Sequence, residues 1–227
     1  DSDLLLKKAI EIAPKLDYRK LQVIQNGIPL KEIEIINQNK SKFSERSIDI
    51  CWIRGLTSIY KFDYFLEILK LLSKILNKEI NVAIISSYGL NVIPDEIYNL
   101  KNLKIKLLPR LSKKEFLKCL FNSKIVVSIP ESDSSPRSVY EAINLGCKLF
   151  VSKLNCFDWL PNKIKSEFIF SKNFIEDDSK ILLNAINNFN EININFKSNY
   201  PHFYKSLDYE YIAESYLKIF KRLNELD

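Results

Sequence analysis

The sequence predicts an α/β protein in which helices cover both faces of a doubly wound, parallel sheet. From residue 48 onward, short apolar runs alternate with longer segments of helical periodicity, the pattern of repeated strand–helix units. Polar or Gly-containing loops follow the apolar runs, as expected for strands that end at a ligand-facing edge. The chain has 227 residues and is 46% hydrophobic, enough for a sizeable core.

Each element follows from its local pattern. Apolar runs predict strands at residues 48–53, 82–85, 105–108, 125–129, 148–151 and 168–170. Apolar residues at helical spacing predict helices at residues 62–76, 94–100, 113–121, 179–189 and 209–223. Ser112 is placed to cap the helix over residues 113–121.

The first part of the chain reads differently. Residues 2–18 predict a helix interrupted at Pro14, and residues 21–24 predict a short strand. Asn26-Gly27 then gives a strong turn signal. The polar stretch over residues 32–47 reads as a linker.

Composition excludes several classes of protein. The net charge of +6 is spread over Lys-rich helices and forms no basic stripe with stacking aromatics, so no nucleic-acid partner is expected. No apolar run approaches the roughly 20 residues of a membrane span. The four cysteines lack metal-ligand spacing, which favours free thiols in the cytoplasm. The sequence contains no Met, and we expect it to be a piece of a longer polypeptide.

The chain is organised around residues 128–146. A buried strand at residues 125–129 leads into a polar loop and then a helix that ends at Gly146, a residue suited to a left-handed cap. Ser135 is expected to cap the start of this helix, with Pro136 at its first position. The free N–H groups and the positive end of the helix dipole predict an anion site beyond the strand.

Asp133 and Glu141 lie on either side of that helix start, in the setting Pro-x-Ser-Asp-x-x-Pro-x-Ser-Val-x-Glu-Ala-x-x-x-Gly. This pattern resembles the donor-binding signature of the retaining GT-B glycosyltransferases of family 4. The resemblance covers nearly the whole chain and implies the Rossmann-like, carboxyl-terminal, donor-binding half of such an enzyme. It implies transfer of a sugar from a nucleotide-diphosphate sugar with retention, and neither a metal nor another cofactor.

The resemblance also implies a division of the chain. Residues 1–30 are expected to be the tail of a missing amino-terminal domain with the interdomain hinge, and residues 31–47 a linker. Residues 48–205 are expected to form the nucleotide-sugar-binding domain, and residues 206–227 the closing helix. The missing domain would carry the acceptor site, so the present chain alone is expected to transfer nothing. The resemblance implies a cytoplasmic bacterial enzyme of cell-surface glycan or glycolipid synthesis, and it allows the full protein to associate with the inner face of the membrane.

Three residues are implied to take part in catalysis. In the family, an Arg and a Lys after the first strand neutralise the donor diphosphate as the glycosidic bond breaks, and Arg54 and Lys61 hold these positions. Their spacing is slightly longer than usual in the family. Asp133 stands where the family usually has Glu, so its implied contact with the sugar hydroxyls reaches less far. Solvated loop charges are the alternative for Arg54 and Lys61.

The remaining site residues are assigned to donor binding. Glu141 is implied to accept both ribose hydroxyls, and Arg110 lies in the loop that holds the base in the family. Around the start of the central helix we assign four residues to the donor: Ser134, Ser135, Arg137 and Ser138. A helix-surface Glu and an ordinary surface Arg are the alternatives for Glu141 and Arg110.

Two other functions are weighed. A non-catalytic nucleotide-binding or scaffold domain of the same fold is the main rival, because doubly wound sheets host many functions. Hydrolysis through the only histidine, His202, lacks an accompanying nucleophile motif. Nothing places a second acid opposite Glu141 for two-carboxylate hydrolysis.

Overall fold

A computed structural model describes residues 3–15, 17, 21–38, 43–86, 93–188 and 196–224. Six strands form one sheet in the order β3-β2-β1-β4-β5-β6, and all neighbouring strands are parallel. The strands are β1 (Ile48–Trp52), β2 (Ile80–Ile85), β3 (Leu103–Leu108), β4 (Ser123–Ser128), β5 (Lys148–Val151) and β6 (Phe168–Phe170). The predicted doubly wound α/β fold is confirmed.

Eleven helices are present in the described part of the chain: α1 (Asp3–Ile12), α2 (Leu30–Asn37), α3 (Phe62–Ile75), α4 (Asp95–Tyr98), α5 (Lys113–Phe121), α6 (Arg137–Asn144), α7 (Asn162–Lys165), α8 (Ile175–Asn187), α9 (Phe196–Asn199), α10 (Pro201–Ser206) and α11 (Tyr209–Asn224). The helix α5 begins with a capping box between Ser112 and Glu115, as its sequence predicts. After α6, Gly146 has a φ of 77°, which confirms the left-handed cap.

The strands β1, β2, β4 and β5 are largely buried on both faces, and their successive residues face opposite cores. One core contains Ile50, Trp52 and Val127 together with side chains of α3 and α8. The other contains Cys51 and Val126 with side chains of α5 and α6. This two-sided burial explains why these strands contain mostly apolar residues, whereas lysines alternate in β3 at the edge of the sheet.

The strand order reverses between β1 and β4, which pair in register from Ile48 with Ser123 to Trp52 with Val127. The chain leaves β1 toward β2 on one side and enters β4 on the other. The loops after these two strands therefore diverge and open a crevice at the carboxyl edge of the sheet. The fold places any ligand site there.

The start of the chain packs against its end. Ile28 forms a parallel bridge with Asp208, and its N–H donates to the carbonyl of Leu207 over 2.7 Å. A Cβ on Gly27 would lie 2.7 Å from Cδ1 of Tyr209, so only glycine allows the segment to approach α11 this closely. Gly27 therefore serves close packing, and the structure assigns no turn at Asn26-Gly27.

Two other predictions for this region are wrong. Residues 21–24 form no strand, since the sheet ends at β3 and β6 and no strand lies beside this segment. The polar stretch expected to be a linker contains α2, which buries Leu30 and Ile33. Its Glu34 accepts from Lys197 and from the hydroxyl of Tyr204, so distant parts of the chain hold this helix.

Two helix boundaries also differ from prediction. The first helix ends at Ile12, ahead of Pro14, and Ser2, Leu16 and Tyr18 lie outside the described residues. The helix predicted to start at residue 179 begins at Ile175, and its predicted end at residue 189 also lies outside them. No described helix is both long and apolar enough to cross a membrane.

Candidate functional site

The crevice brings together Arg54, which follows β1, and the loop that follows β4. The guanidinium donates from Nε to Oγ of Ser128 over 2.6 Å and from Nη2 to Oδ2 of Asp133 over 2.7 Å. The ring of Tyr60 lies 5.6 Å from the guanidinium carbon. The side chains of Arg54 and Asp133 are 13% and 16% exposed, so this ion pair lies at the mouth of the crevice with little contact to solvent.

Asp133 also organises the loop in which it lies. Its Oδ1 accepts from the backbone N–H of Ser135 over 3.1 Å. The hydroxyl of Ser135 accepts from the N–H of Asn26 over 3.2 Å and donates to Oε1 of Gln25 over 3.3 Å. The loop after β4 is therefore tied to the segment that precedes α2.

These contacts correct the prediction for the helix start. Ser135 does not cap α6, because its hydroxyl is engaged by the segment at Asn26. The helix begins at Arg137, and Pro136 stands at the cap position, one residue later than expected. The N–H of Arg137 donates to the carbonyl of Ser135 over 2.9 Å. The expected anion site at this helix start remains a prediction.

Glu141 lies in the second turn of α6 and is 1% exposed. Its Oε1 accepts from Nζ of Lys113, the first residue of α5, whose side chain is 46% exposed. Burial raises the pKa of the Glu141 carboxyl, and the ammonium of Lys113 opposes this rise. The carboxylate expected to meet a ribose is thus covered and paired by a lysine that solvent reaches.

The ammonium of Lys61 is bound by the loop that follows β6. It adopts a left-handed conformation with φ 59° at the start of α3, and its Nζ donates to Oδ1 of Asn173 over 2.8 Å. Asn173 lies in the loop after β6. Because an amide carries no charge, the positive charge of Lys61 is not neutralised by this contact, unlike that of Arg54.

Four further predicted residues lie in the loops after β3 and β4 and in the first turn of α6. Arg110 is exposed in the loop between β3 and α5, and Arg137 is exposed at the first position of α6. The charge of Arg137, like that of Lys113, opposes the rise in the pKa of Glu141 that burial causes. Ser134 and Ser138 are half-buried. The loop after β2 at residues 87–92 lies outside the described part of the chain.

The histidine and the cysteines take no part in this arrangement. His202 is exposed on α10. All four cysteines are free and buried. Burial raises the pKa of both Cys147 and Cys156 to about 12, so neither is an activated thiolate at neutral pH.

Sequence reasoning missed three residues of the site: Gln25, Ser128 and Lys113. Ser128 is the last residue of β4, and Lys113 is the first residue of a helix that starts at the ligand-facing edge. Both residues could have been assigned to the site from the sequence, because side chains at the carboxyl ends of the strands of a doubly wound sheet face the crevice. Gln25 carried no such signal.

Neither a protein-family model nor a curated protein sequence matches the chain. Solved structures do match. Trehalose-6-phosphate synthase OtsA superposes with a TM-score of 0.61 at 14% identity over 88% of this chain and 51% of its own. S. aureus TarM, a variant in complex with fondaparinux, α-GlcNAc-glycerol and UDP, gives 0.59 at 19% identity over 89% and 44%. A glycosyltransferase from Rickettsia africae gives 0.57 at 13% identity over 98% and 62%.

These likenesses establish the class of fold. The chain has the Rossmann-like, doubly wound α/β fold that occurs in GT-B glycosyltransferases. It spans less than two thirds of the length of each of these three proteins.

Proposed function

We propose that this chain is the donor-binding, carboxyl-terminal half of a retaining family 4 glycosyltransferase that uses a nucleotide-diphosphate sugar. The observation that carries the proposal is the meeting of Arg54 and Asp133 at the reversal point of the sheet, beside the helix that bears Glu141. Doubly wound sheets bind nucleotides at this point. The predicted cations and carboxylates lie on the loops and helix that border it.

The arrangement suits charge stabilisation of a leaving diphosphate. As the bond between the sugar and the β-phosphate breaks, negative charge develops on the phosphate oxygen, and cationic side chains near it lower the barrier. Arg54 presents a planar fork already oriented by Ser128, and Lys61 carries a charge that its amide partner leaves uncompensated. We propose that these two side chains supply the neutralisation that a bound metal supplies elsewhere.

Asp133 is proposed to have two roles. In the free protein it neutralises Arg54, and with donor bound it accepts hydrogen bonds from sugar hydroxyls as the phosphate takes over the guanidinium. Glu141 accepts the ribose hydroxyls once the ammonium of Lys113 moves aside. Ser134, Ser135, Arg137, Ser138 and Arg110 complete the contacts to the donor in this proposal.

Calorimetry with UDP, GDP, ADP and their common sugars tests the proposal. We expect at least one nucleotide diphosphate to bind, and Arg54→Gln to weaken it by about 10- to 100-fold, the effect of a lost charge-assisted hydrogen bond. The matched control is Arg222→Gln, which removes an exposed arginine from the last turn of α11. Failure of every nucleotide diphosphate to bind the folded chain would remove the proposal.

The missing half is proposed from the closing helix and from the length of the chain. On α11, Leu217 and Phe220 are 58% and 57% exposed, and Ile12 on α1 is 84% exposed. We propose that these apolar side chains pack on an amino-terminal domain that carries the acceptor site. The present chain should then bind donor and transfer no sugar, and transfer to any acceptor by the purified chain would contradict this.

A non-catalytic nucleotide-binding or scaffold domain is the second candidate. It is favoured by the internal neutralisation of the site, since Arg54 is paired with Asp133 and Glu141 with Lys113. Activity of the full-length protein separates the two candidates. If that protein transfers sugar and Glu141→Ala leaves the rate unchanged, the assignment of Glu141 is wrong while the proposed activity stands.

A further inference from the structure

Lys61 is constrained twice, by its own backbone and by the loop that follows β6. Its φ of 59° is the left-handed conformation, which is uncommon and strained for a lysine. Its Nζ donates to Oδ1 of Asn173 over 2.8 Å. The two residues are 112 positions apart in the sequence, so the contact is a product of the fold and not of local structure.

The packing of two helices brings the loops of these residues together. All six strands are parallel, so the loops after β1 and β6 lie at the same edge of the sheet. The helix α3 follows the first loop and packs against α8, which follows the second. Both helices therefore start at the ligand-facing edge.

A buried carboxylate fixes the loop that carries Asn173. Asp178 is fully buried, and its Oδ2 accepts from the hydroxyls of Tyr64, on α3, and Ser171 over 2.7 and 2.5 Å. Its Oδ1 accepts from the N–H of Lys172 over 2.8 Å. The N–H of Asn173 donates to Oγ of Ser171 over 3.1 Å. The amide of Asn173 is therefore presented by a loop that hydrogen bonds tie to α3.

Asparagine has the right chemistry to orient a lysine without neutralising it. Asn173 has a φ of 59°, and asparagine tolerates this conformation better than most residues do. Its amide oxygen uses one of the three hydrogens of the ammonium, and the other two remain for a phosphate. A carboxylate in its place would neutralise the charge, and without a partner the long stem of the lysine would be unrestrained.

We propose that Asn173 is a positioning residue that orients the ammonium of Lys61 for the diphosphate of the donor. This inference rests on the proposed nucleotide-sugar function, and it adds the loop after β6 to the site. On binding, the ammonium keeps the amide oxygen and donates its other hydrogens to phosphate oxygens. Asp178 acts one step further away, by holding the loop in place.

Calorimetry with whichever of UDP, GDP and ADP the wild-type chain binds most tightly tests the inference. Asn173→Gly removes the amide and suits the left-handed conformation, and it should weaken binding about 3- to 10-fold, the worth of ordering one flexible side chain. Asn173→Asp keeps the contact but neutralises the ammonium, and it should weaken binding at least about tenfold. A purely structural tether predicts wild-type affinity for Asn173→Asp. Asn173 is exposed, so the fold should tolerate both changes.

A double substitution shows whether the effect passes through Lys61. In a chain that carries Lys61→Met, Asn173→Gly should change the affinity by less than about twofold. The matched control is Asn102→Gly, which changes another asparagine in the left-handed conformation, with a φ of 64°, just before β3. It lies at the opposite edge of the sheet and should leave the affinity unchanged.

Unchanged or tighter binding by Asn173→Gly overturns the inference and leaves the proposed function standing. An equal loss with and without Lys61 also overturns it, because Asn173 would then act without the lysine. If Lys61→Met binds as tightly as wild type, Lys61 does not contact the diphosphate, and the inference fails while nucleotide binding stands. Absence of binding by all three nucleotides removes the proposed function and this inference with it.

Discussion

Replacing Asp133 by Asn tests the internal neutralisation of the crevice. The amide keeps the shape of the side chain and keeps an oxygen for the N–H of Ser135, now 3.1 Å from Oδ1. The second position, 2.7 Å from Nη2 of Arg54, loses its charge. The amide NH2 that takes this position cannot accept from the guanidinium, so the variant removes the ion pair together with its hydrogen bond.

The geometry sets the size of the effect. Two unit charges with centres about 4 Å apart interact by about 4 kcal/mol at an effective dielectric constant of about 20, which is an upper bound. Desolvation of both groups reduces that gain. The pair is 13% and 16% exposed, and we therefore expect Asp133→Asn to lower the free energy of unfolding by about 1–3 kcal/mol.

Urea unfolding followed by fluorescence of Trp52 and Trp159 measures this difference. The matched control is Glu79→Gln, which breaks a pair with Lys104 whose side chains are 55% and 67% exposed. It should change stability by less than about 0.5 kcal/mol. Equal stability of the Asp133 and Glu79 variants would refute the reasoning, because the crevice pair would then behave as an ordinary surface pair.

The same Asp133 variant should bind free nucleotide diphosphate more tightly. In the wild-type chain the phosphate competes with Asp133 for Arg54, and the substitution removes the competitor. We expect a gain of about 5- to 30-fold, equal to about 1–2 kcal/mol. Calorimetry with the diphosphate and with the sugar nucleotide separates the roles, since the loss of a sugar contact should make the gain smaller for the sugar nucleotide. An unchanged diphosphate affinity would show that Asp133 does not compete for the guanidinium.

Three further substitutions have defined outcomes. Because burial raises the pKa of Glu141 above 4.5, its ionisation costs stability as pH rises; the stability of wild type relative to Glu141→Gln should fall as the pH rises above about 4.5, and a flat difference in urea titrations would contradict this. Gly27→Ala places a Cβ 2.7 Å from Tyr209 and should cost about 1–3 kcal/mol in thermal unfolding. Gly146→Ala, at φ 77° with its Cβ 3.0 Å from Nη2 of Arg46, should cost at least about 1–2 kcal/mol, and an unchanged midpoint would argue against a strained cap.

Elements with local causes could be predicted from the sequence. The bounds of α5 follow from Ser112 and Glu115, which form the capping box within one turn. The bounds of β5 and β6 follow from short apolar runs, of which β5 is mostly buried and β6 is partly buried. Arg54, Asp133 and Glu141 could be assigned to one region because strand ends and the following helix can be read along the chain.

The errors arise where distant parts of the chain decide the structure. The polar residues of this stretch led to the prediction of a linker. In the structure α2 is held by α5 and by contacts of Glu34 with Lys197 and Tyr204, which lie more than 160 residues away in the sequence. Ser135 leaves its expected cap because the N–H of Asn26 lies beside it. Local propensity carries no information about the contacts of Ser135, whereas Leu30, Ile33 and Ile36 lie at helical spacing and were a local signal for α2.

The pairing of charged side chains within the site could not be predicted from the sequence either. Arg54 and Asp133 are separated by 79 residues, and each has an independent reason to face the crevice. Nothing in their patterns shows that they neutralise each other. The same holds for Lys113 and Glu141, which lie on different helices and are in contact because α5 packs on α6.

The hydroxyl of Ser135 couples the position of the segment before α2 to the charge of the crevice. A movement of the chain at Gln25 and Asn26 breaks or displaces their two hydrogen bonds to Ser135, each worth about 1 kcal/mol. The N–H of Ser135 in turn donates to Asp133. A phosphate that binds Arg54 in place of Asp133 weakens the same group of contacts, starting from Asp133. Such coupling is reciprocal. Phosphate binding in the crevice shifts the position of the segment by the same free energy by which the position of the segment changes the affinity for phosphate.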